Sequence, residues 1–361
     1  MKGNNGTSLD KLLSSSKLNG LTLKNRVIKA ATFEGMLDDK NGITDKCISF
    51  HEDVAKGGVA MTTLAYCAPE FDGCMIKSYM YIREEIKPQL IELANRVHNA
   101  GSLVSGQIAH CGGFNRNTAL KRPRPIGPST GFNLVGSIYG NLFTQQMDKV
   151  LMKEVADAYA NSARIMKESG FDAVELHFGH GYLLSQFINP LTNKRTDEYG
   201  GNVANRMRFP LEVLAAVRNV VGADFPILAK ITMYDDKKGG MTIQDSLEGT
   251  KLLDQAGIDG IILSAGSSSM NPMLLFHGDS ILPGLLKQEK NPFIKLGMRL
   301  VAPTMFRKYP YKELYLMHAA KQFKNVVKCN LIYVGGASKT ESLAQVMNEG
   351  FDFVQVARPL L

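Results

Sequence analysis

The feature that most constrains this fold is a short apolar run that ends in small or polar residues and leads into a longer amphipathic stretch. This pattern occurs eight times along the chain. Apolar runs of this length bounded by turn residues are typical of buried strands, and alternation with helical patterns is typical of a parallel sheet. The eight candidate strands are residues 26–31, 58–65, 102–109, 172–177, 226–232, 259–266, 331–336 and 352–358.

Most of the segments between these strands have the apolar spacing of a helix. Residues 242–257 open with Thr242, a helix-capping residue type, and end at Gly257. Eight strands alternating with helices predict a parallel (β/α)8 TIM barrel of the α/β class rather than an open sheet. Three further candidate helices that end on glycine are residues 88–101, 151–170 and 339–350.

Two connections are much longer than the others and interrupt the alternation of strands and helices. Residues 110–147 follow the third candidate strand, and residues 267–313 follow the sixth. Both leave the C-terminal end of a strand, where barrels place their sites, so we expect long loops or caps that shape a pocket. We expect residues 1–20, which are polar and rich in Gly and Ser, to be a flexible N-terminal segment, and residues 21–361 to form the barrel.

Composition excludes several classes of protein. The net charge is +8, but the lysines are scattered and no nucleic-acid-binding motif occurs. The excess charge is either a general property of a basic soluble protein or an attraction for anionic phosphate cofactors. No apolar run reaches the roughly 18 residues of a membrane span, and the N-terminus lacks an apolar signal core. We therefore expect a cytoplasmic protein with no membrane partner. The five cysteines include no C-x-x-C pair, so neither a disulfide framework nor a metal cluster is predicted.

The last two candidate strands end in residues suited to binding phosphate. Gly335 and Gly336 close the seventh strand, and Ala357 and Arg358 close the eighth. In barrels the loops after these two strands commonly form a phosphate site. Glycines allow backbone N–H groups to approach an anion, and an arginine can bind it in a bidentate manner. Two tight turns beside a surface arginine are the alternative interpretation.

Gln107 and Lys230 end the third and fifth candidate strands. An amide carries both a donor and an acceptor, which suits a ring edge with alternating N–H and C=O groups. A lysine at this position can stabilise a developing negative charge. It could instead form a Schiff base with a carbonyl substrate, or extend its ammonium to solvent.

His177, His180 and Tyr182 follow the fourth candidate strand. Zinc binding is disfavoured because the glutamate of an H-E-x-x-H motif is missing and no third ligand is evident. The two histidines could be ordinary polar residues, or they could donate hydrogen bonds to one substrate oxygen. Tyr182 could then deliver a proton, since a phenol stays protonated at neutral pH. Alternatively, Tyr182 is an aromatic residue packed at the start of a helix.

Residues 177–218, which begin "HFGHGYLLSQFINPLTNKRTDEYGG", resemble the old yellow enzyme family of FMN-dependent NAD(P)H oxidoreductases. The resemblance runs from about residue 21 to the end of the sequence. Five other blocks support it in the family's order: residues 21–35, 57–69, 106–113, 239–266 and 334–361.

The resemblance implies a non-covalent FMN at the barrel mouth, reduced by NAD(P)H. Ala30, Ala31 and Thr32 would run along the flavin together with Phe33, and the backbone of Tyr66 would lie near its N5/O4 edge. Gln107 would bind the pyrimidine, and Lys230 would lie near N1/O2. Gly335, Gly336, Ala357 and Arg358 would hold the phosphate. His177 and His180 would bind the substrate oxygen, and Tyr182 would be the catalytic proton donor.

The activity implied is hydride transfer from NAD(P)H through flavin to an activated alkene, such as a small α,β-unsaturated carbonyl compound. Reduction of a dienoyl thioester and oxidation of an amine are alternatives within the family, and a homo-oligomer is left open. From other classes, we also consider a flavin-binding protein without turnover and a Schiff-base lyase that uses Lys230. The chain departs from the family's usual residues at Phe33, Gly113, Lys230 and Ala357.

Overall fold

The structure is a computed structural model that describes residues 5–361. Eight parallel strands, labelled β1 to β8 in chain order, form a closed barrel in which each strand pairs with its sequence neighbours and β8 pairs with β1. The predicted TIM barrel is confirmed, and each predicted apolar run overlaps one barrel strand. The strands are β1 Val27–Lys29, β2 Met61–Cys67, β3 Leu103–Ile108, β4 Ala173–Phe178, β5 Ile227–Thr232, β6 Gly260–Ser264, β7 Asn330–Val334 and β8 Phe353–Val356.

Thirteen α-helices accompany the strands within the described residues. The four predicted helices are confirmed, each to within two residues at its start and end. At the start of α8 the Thr242 hydroxyl accepts from the Asp245 N–H, and the Asp245 carboxylate accepts from the Thr242 N–H. The helices are α1 Asn5–Leu13, α2 Asp45–Lys56, α3 Lys87–Asn99, α4 Leu134–Ser137, α5 Lys149–Glu168, α6 Leu183–Ile188, α7 Val203–Val221, α8 Ile243–Gln255, α9 Pro272–Phe276, α10 Leu282–Gln288, α11 Pro292–Met305, α12 Met317–Ala320 and α13 Thr340–Asn348.

The barrel interior is layered because alternate residues of each strand face inward. The layer at the N-terminal end is apolar and fully buried. Further along the strands the inward residues become polar, beginning with a 2.8 Å hydrogen bond between the Thr63 and Ser105 hydroxyls. The change from apolar to polar residues fixes which end of the barrel can bind a polar ligand. The apolar layer includes Ile28, Met61, Ala173, Leu228, Ile262, Ile332 and Phe353.

The N-terminal segment differs from the expectation of a flexible tail. Residues 1–4 lie outside the described residues, but α1 is followed by a hairpin of two short strands, Ser16–Leu18 and Leu21–Leu23. Leu18 and Leu23 are fully buried and pack against the apolar layer of the barrel. The hairpin covers the N-terminal end of the barrel because that end would otherwise expose apolar side chains to water.

Removing the Leu18 side chain tests this covering role. We expect Leu18→Ala to lower the free energy of unfolding by about 2–5 kcal/mol, because it leaves a cavity in a fully buried cluster. Leu13→Ala is a matched control, since the Leu13 side chain is 59% exposed. Denaturant titration of the two variants should show a lower midpoint for Leu18→Ala alone. Equal midpoints would contradict a structural role for the hairpin.

The two long connections form caps at the C-terminal end of the barrel, as predicted. The cap after β3 contains three short strands and α4, and the cap after β6 contains α9 to α12. Arg195, which follows β4, donates to the backbone oxygens of Pro128 at 3.0 Å and Met147 at 2.7 Å. This contact attaches the first cap to the loop after β4, so that the cap becomes a fixed wall of the barrel mouth.

The described part of the chain contains neither a candidate membrane-spanning helix nor a candidate metal-binding cluster. No helix there has both the length and the apolar character needed to cross a bilayer. No group of three or more His, Cys, Asp or Glu side chains among residues 5–361 is arranged to hold a metal ion.

Candidate active site

A cavity of about 590 Å³ opens at the C-terminal ends of the barrel strands. Its volume lies within the range of small-molecule sites. Every site residue proposed from the sequence lines this one cavity, although the residues come from seven different strands and the turns after them. They are Ala30, Ala31, Thr32, Tyr66, Gln107, His177, His180, Tyr182, Lys230, Gly335, Gly336, Ala357 and Arg358.

The floor of the cavity is a buried polar cluster centred on Glu175, a residue of β4. The Glu175 side chain is fully buried. Its carboxylate accepts from Gln107 Nε2 at 2.6 Å, Lys230 Nζ at 2.8 Å and Gln355 Nε2 at 3.0 Å. The interpretation of Lys230 as a solvent-directed side chain is therefore wrong, because its ammonium is paired inside the barrel. The side-chain amide oxygen of Gln355, Oε1, is buried and has no hydrogen-bond partner.

One wall of the cavity is formed by His177, His180 and Tyr182. The ring centre of His177 lies 4.8 Å from that of His180 and 4.6 Å from that of Tyr182. The Ser264 hydroxyl is 2.7 Å from His180 Nε2, and the Thr232 hydroxyl accepts from the His180 backbone N–H at 2.8 Å. The Ser264 contact orients the His180 ring and the Thr232 contact holds its backbone, whereas Nδ1 of His177 is buried and has no hydrogen-bond partner.

Burial determines the protonation states of this wall. It lowers the pKa of His177 well below its usual value, with the neighbouring His180 and the Lys230 charge adding to the effect. Burial and the Lys230 charge lower the pKa of His180 to about 3. Burial also raises the pKa of Tyr182 above its usual range. At neutral pH the wall therefore presents two neutral imidazoles and a protonated phenol, which can bind an oxygen atom and donate a proton.

Aromatic side chains adjoin this wall at the mouth of the cavity. The Phe33 ring stacks on Tyr79 with 4.2 Å between ring centres, and Tyr66 contacts Tyr182 edge-on at 5.2 Å. The Tyr66 hydroxyl accepts from the backbone N–H of Met75 at 3.0 Å. Aromatic faces and edges of this kind suit a planar ring system.

The far end of the cavity contains the residues proposed to bind phosphate. Gly335 has φ +129° and Gly336 has φ +69°, values that favour glycine over other residues. The Arg358 guanidinium donates to the backbone oxygens of Phe276 at 2.5 Å and His277 at 3.3 Å, at the rim of the cavity. These bonds hold Arg358 beside the two glycines and attach the second cap to the end of β8.

An acidic side chain near this end was not predicted. The Glu313 carboxylate accepts from the hydroxyls of Tyr311, Ser338 and Ser342. Burial by itself would raise the pKa of Glu313, but these hydrogen bonds lower it to about 2. Glu313 is therefore ionised, and it accepts hydrogen bonds from donors at the start of α13.

Residues 12–269, well over half of the chain, match the model of the NADH:flavin oxidoreductase / NADH oxidase family. This chain belongs to that family. Its members use FMN and NAD(P)H, so the chain is an NAD(P)H-dependent FMN oxidoreductase, and the resemblance to old yellow enzymes is confirmed.

Two similar proteins illustrate the range of this flavin oxidoreductase family. A 4,4'-dithiodibutanoate disulfide reductase of Rhodococcus erythropolis is 35% identical over 97% of this chain and 85% of its own length. An NADH oxidase of Thermoanaerobacter brockii is 26% identical over 98% of this chain, but this chain spans only 50% of that protein.

Solved structures support the fold. A 2-naphthoyl-CoA reductase complex superposes with a TM-score of 0.81 at 24% identity, over 97% of this chain and 50% of its own. An old yellow enzyme homologue from Zymomonas mobilis superposes with a TM-score of 0.73 at 19% identity, over 97% of this chain and 89% of its own.

The residues of the cavity fit the flavin cofactor of the family. The orphan Gln355 oxygen and the orphan His177 Nδ1 are buried polar atoms of cavity-lining residues, and each lacks the partner that buried polar groups normally have. Gln107 and Lys230 offer an amide and an ammonium to a polar ring edge. The glycine turn and Arg358 offer N–H donors at the other end. These donors and acceptors match a cofactor that has a ring with a polar edge at one end and a phosphate group at the other.

Arg358→Ala tests the assignment of the phosphate end. We expect it to weaken FMN binding by about 10- to 100-fold, because a charge-assisted hydrogen bond contributes about 1.5–3 kcal/mol. Isothermal titration of the apoprotein with FMN measures the effect. Arg307→Ala is a matched control, because Arg307 lies in the cap that Arg358 contacts but is mostly exposed and pairs with Asp236. Unchanged affinity for Arg358→Ala would place the phosphate site elsewhere.

Two residues of the cavity floor, Glu175 and Gln355, were not predicted from the sequence. The alternation of inward residues could have found both, since Glu175 lies two residues before His177 and Gln355 lies in the middle of β8. The predicted site residues lie at strand ends, and the floor of the site is one layer deeper.

Proposed function

We propose that this oxidoreductase reduces activated alkenes, namely α,β-unsaturated carbonyl compounds, with electrons from NAD(P)H. The observation that carries the proposal is the wall formed by His177, His180 and Tyr182, where two neutral imidazoles lie beside a protonated phenol. When bound, FMN supplies hydride transfer. The protein contributes substrate binding, polarisation of the carbonyl and a proton.

The imidazoles bind and polarise the carbonyl oxygen of the substrate. A neutral imidazole donates from one nitrogen only, and the Nδ1–H tautomer of His177 has no other partner for that bond. When the Ser264 hydroxyl donates to His180 Nε2, the His180 proton lies on Nδ1 and is available to the same oxygen. Hydrogen bonds to this oxygen strengthen as negative charge develops on it, which makes the β-carbon more electrophilic.

Tyr182 completes the addition across the double bond. The β-carbon gains a hydride, and the α-carbon must gain a proton for the product to be a saturated carbonyl compound. The Tyr182 ring lies beside the His177 ring, and the Tyr182 hydroxyl remains protonated, so it can act as the general acid.

Lys230 does not support the alternative of a Schiff-base lyase. Its ammonium lies 2.8 Å from a carboxylate oxygen of Glu175. An amine engaged in an ion pair with a buried carboxylate is not available as a nucleophile. The contact instead favours a structural and electrostatic role for Lys230.

The proposal is tested by measuring the two half-reactions separately. The purified protein should be yellow, and NADH or NADPH should bleach it without oxygen. Reduced enzyme should then be reoxidised by 2-cyclohexenone much faster than by buffer alone. If no enone, quinone, enoyl thioester or disulfide accelerates reoxidation, a flavin-binding protein without turnover is the better description.

Disulfide reduction is a second candidate. It is favoured by the 35% identity to a protein named as a disulfide reductase. A disulfide accepts two electrons and two protons to give two thiols, so the same reduced enzyme could serve it. Stopped-flow reoxidation of the reduced enzyme with 4,4'-dithiodibutanoate, 2-cyclohexenone and an enoyl thioester in parallel would rank these electron acceptors directly. Reduction of the oxidised enzyme by a methylated amine would test amine oxidation separately.

A further inference from the structure

The buried Glu175 side chain has a contact pattern that the proposed chemistry does not use. It faces inward from β4, in register with Gln107 of β3 and two residues before His177. All three of its side-chain partners are donors: the amides of Gln107 and Gln355, and the ammonium of Lys230. A group that only accepts, from three donors at once, is behaving as a carboxylate.

The first consequence concerns the orientation of the two amides. A carboxylate cannot donate, so the amide nitrogens of Gln107 and Gln355 must face Glu175. Each amide oxygen is then turned away from Glu175, and the Gln355 oxygen is left buried without a partner. Glu175 therefore determines which atoms of the cavity floor are offered to a ligand as acceptors.

The second consequence concerns charge. Lys230 lines the cavity, and its positive charge is balanced by Glu175 in an environment where both side chains are at most 5% exposed. Charges interact strongly in such an environment because little water screens them. The balance between these two groups sets the electrostatic potential that a ring above the floor experiences.

We propose that Glu175 is a positioning residue that sets the reduction potential of the bound flavin, by balancing the Lys230 charge and by fixing the Gln107 and Gln355 amides. It acts through these three neighbours and does not line the cavity itself. The proposal rests on family membership and not on the proposed alkene substrate, because the potential is measured without any substrate.

Charge variants of the holoenzyme test the proposal. Glu175→Gln leaves Lys230 uncompensated, so two-electron-reduced FMN, which carries more negative charge, should bind at least tenfold more tightly relative to oxidised FMN. A tenfold change corresponds to a rise of about 30 mV in midpoint potential for a two-electron couple. Lys230→Met leaves Glu175 uncompensated and should lower the potential. The double variant should return close to the wild-type value.

Two further variants separate a specific role from a general structural one. Glu175→Asp keeps the charge but shortens the reach to the amides, so it should weaken FMN binding with a much smaller change in potential. Asp235→Asn is a matched control, because Asp235 is a fully buried carboxyl outside the cavity. The midpoint potential of the flavin in this variant should equal that of the wild type.

The outcomes are distinct. Opposite shifts for Glu175→Gln and Lys230→Met support the proposal. Unchanged potentials, or shifts in the same direction, overturn it even if both variants are less stable. Should Glu175→Gln fail to retain FMN, the direction of the Lys230→Met shift decides: a fall in potential supports the charge balance, and no fall overturns it.

Discussion

Replacing Tyr182 with phenylalanine is expected to slow reoxidation of the reduced enzyme by 2-cyclohexenone by about 10²- to 10⁴-fold, the usual contribution of a general acid. Reduction by NAD(P)H requires no proton from Tyr182 and should be nearly unchanged. The ring of Tyr182 is retained in the variant, so its contacts with His177 and Tyr66 persist and the pocket keeps its shape. Stopped-flow absorbance of the flavin measures the two half-reactions separately.

Tyr79→Phe is the matched control for this experiment. Tyr79 is also buried and contacts Tyr66, but it does not line the cavity. Its replacement should leave both half-reactions unchanged. If Tyr182→Phe also leaves both unchanged, water or another group supplies the proton, and the assignment of Tyr182 as the acid is wrong.

Removing both imidazoles is expected to weaken the binding of a phenol in the cavity strongly. In the variant carrying His177→Ala and His180→Ala, binding of p-hydroxybenzaldehyde should weaken by about 100-fold or more, because two hydrogen bonds to a charged oxygen are lost, each contributing about 1.5–3 kcal/mol. Phenols of this kind give a charge-transfer band with oxidised flavin, so a spectral titration measures the dissociation constant.

The protonation states of the histidines add a pH test to this prediction. Because the pKa of His180 is lowered to about 3 and that of His177 is also lowered, neither ring gains a proton between neutral and mildly acidic pH. Phenol binding should therefore show no titration with a histidine pKa near 6.5. His98→Ala, at a partly exposed histidine paired with Asp172, is a control that should bind as the wild type. An unchanged charge-transfer titration in the double variant would refute the role of the pair.

The barrel strands could be predicted because parallel strands covered on both faces form continuous apolar runs. Strands β4 and β5 are buried at every position, and their apolar residues stand out from the flanking polar sequence. Helices α6 and α7 were not predicted, although residues 183–218 lay within the block that carried the family resemblance. Pro210 lies inside α7, and such a residue normally indicates the end of a helix.

The N-terminal segment shows the limit of composition as evidence. Its polar, Gly- and Ser-rich character indicated a flexible tail, but a few apolar residues are enough to attach it. Leu12 and Leu18 are buried in two different clusters of the core. These two leucines attach the segment only because distant strands provide apolar surface for them to pack against. A local sequence pattern does not show that surface.

The sequence by itself determined the barrel and the positions of the cavity-lining side chains, because strand ends and periodicity are local properties of a chain. The family was indicated separately, by the blocks of residues that resemble it. Only the tertiary structure decided what those side chains do to one another. Closing the barrel brings Glu175 of β4 between Gln107, Lys230 and Gln355 of three other strands, and it buries His177 and His180 enough to keep them neutral. Pairing and desolvation depend on neighbours far apart in sequence, so the electrostatics of the site follow from the fold and not from any motif.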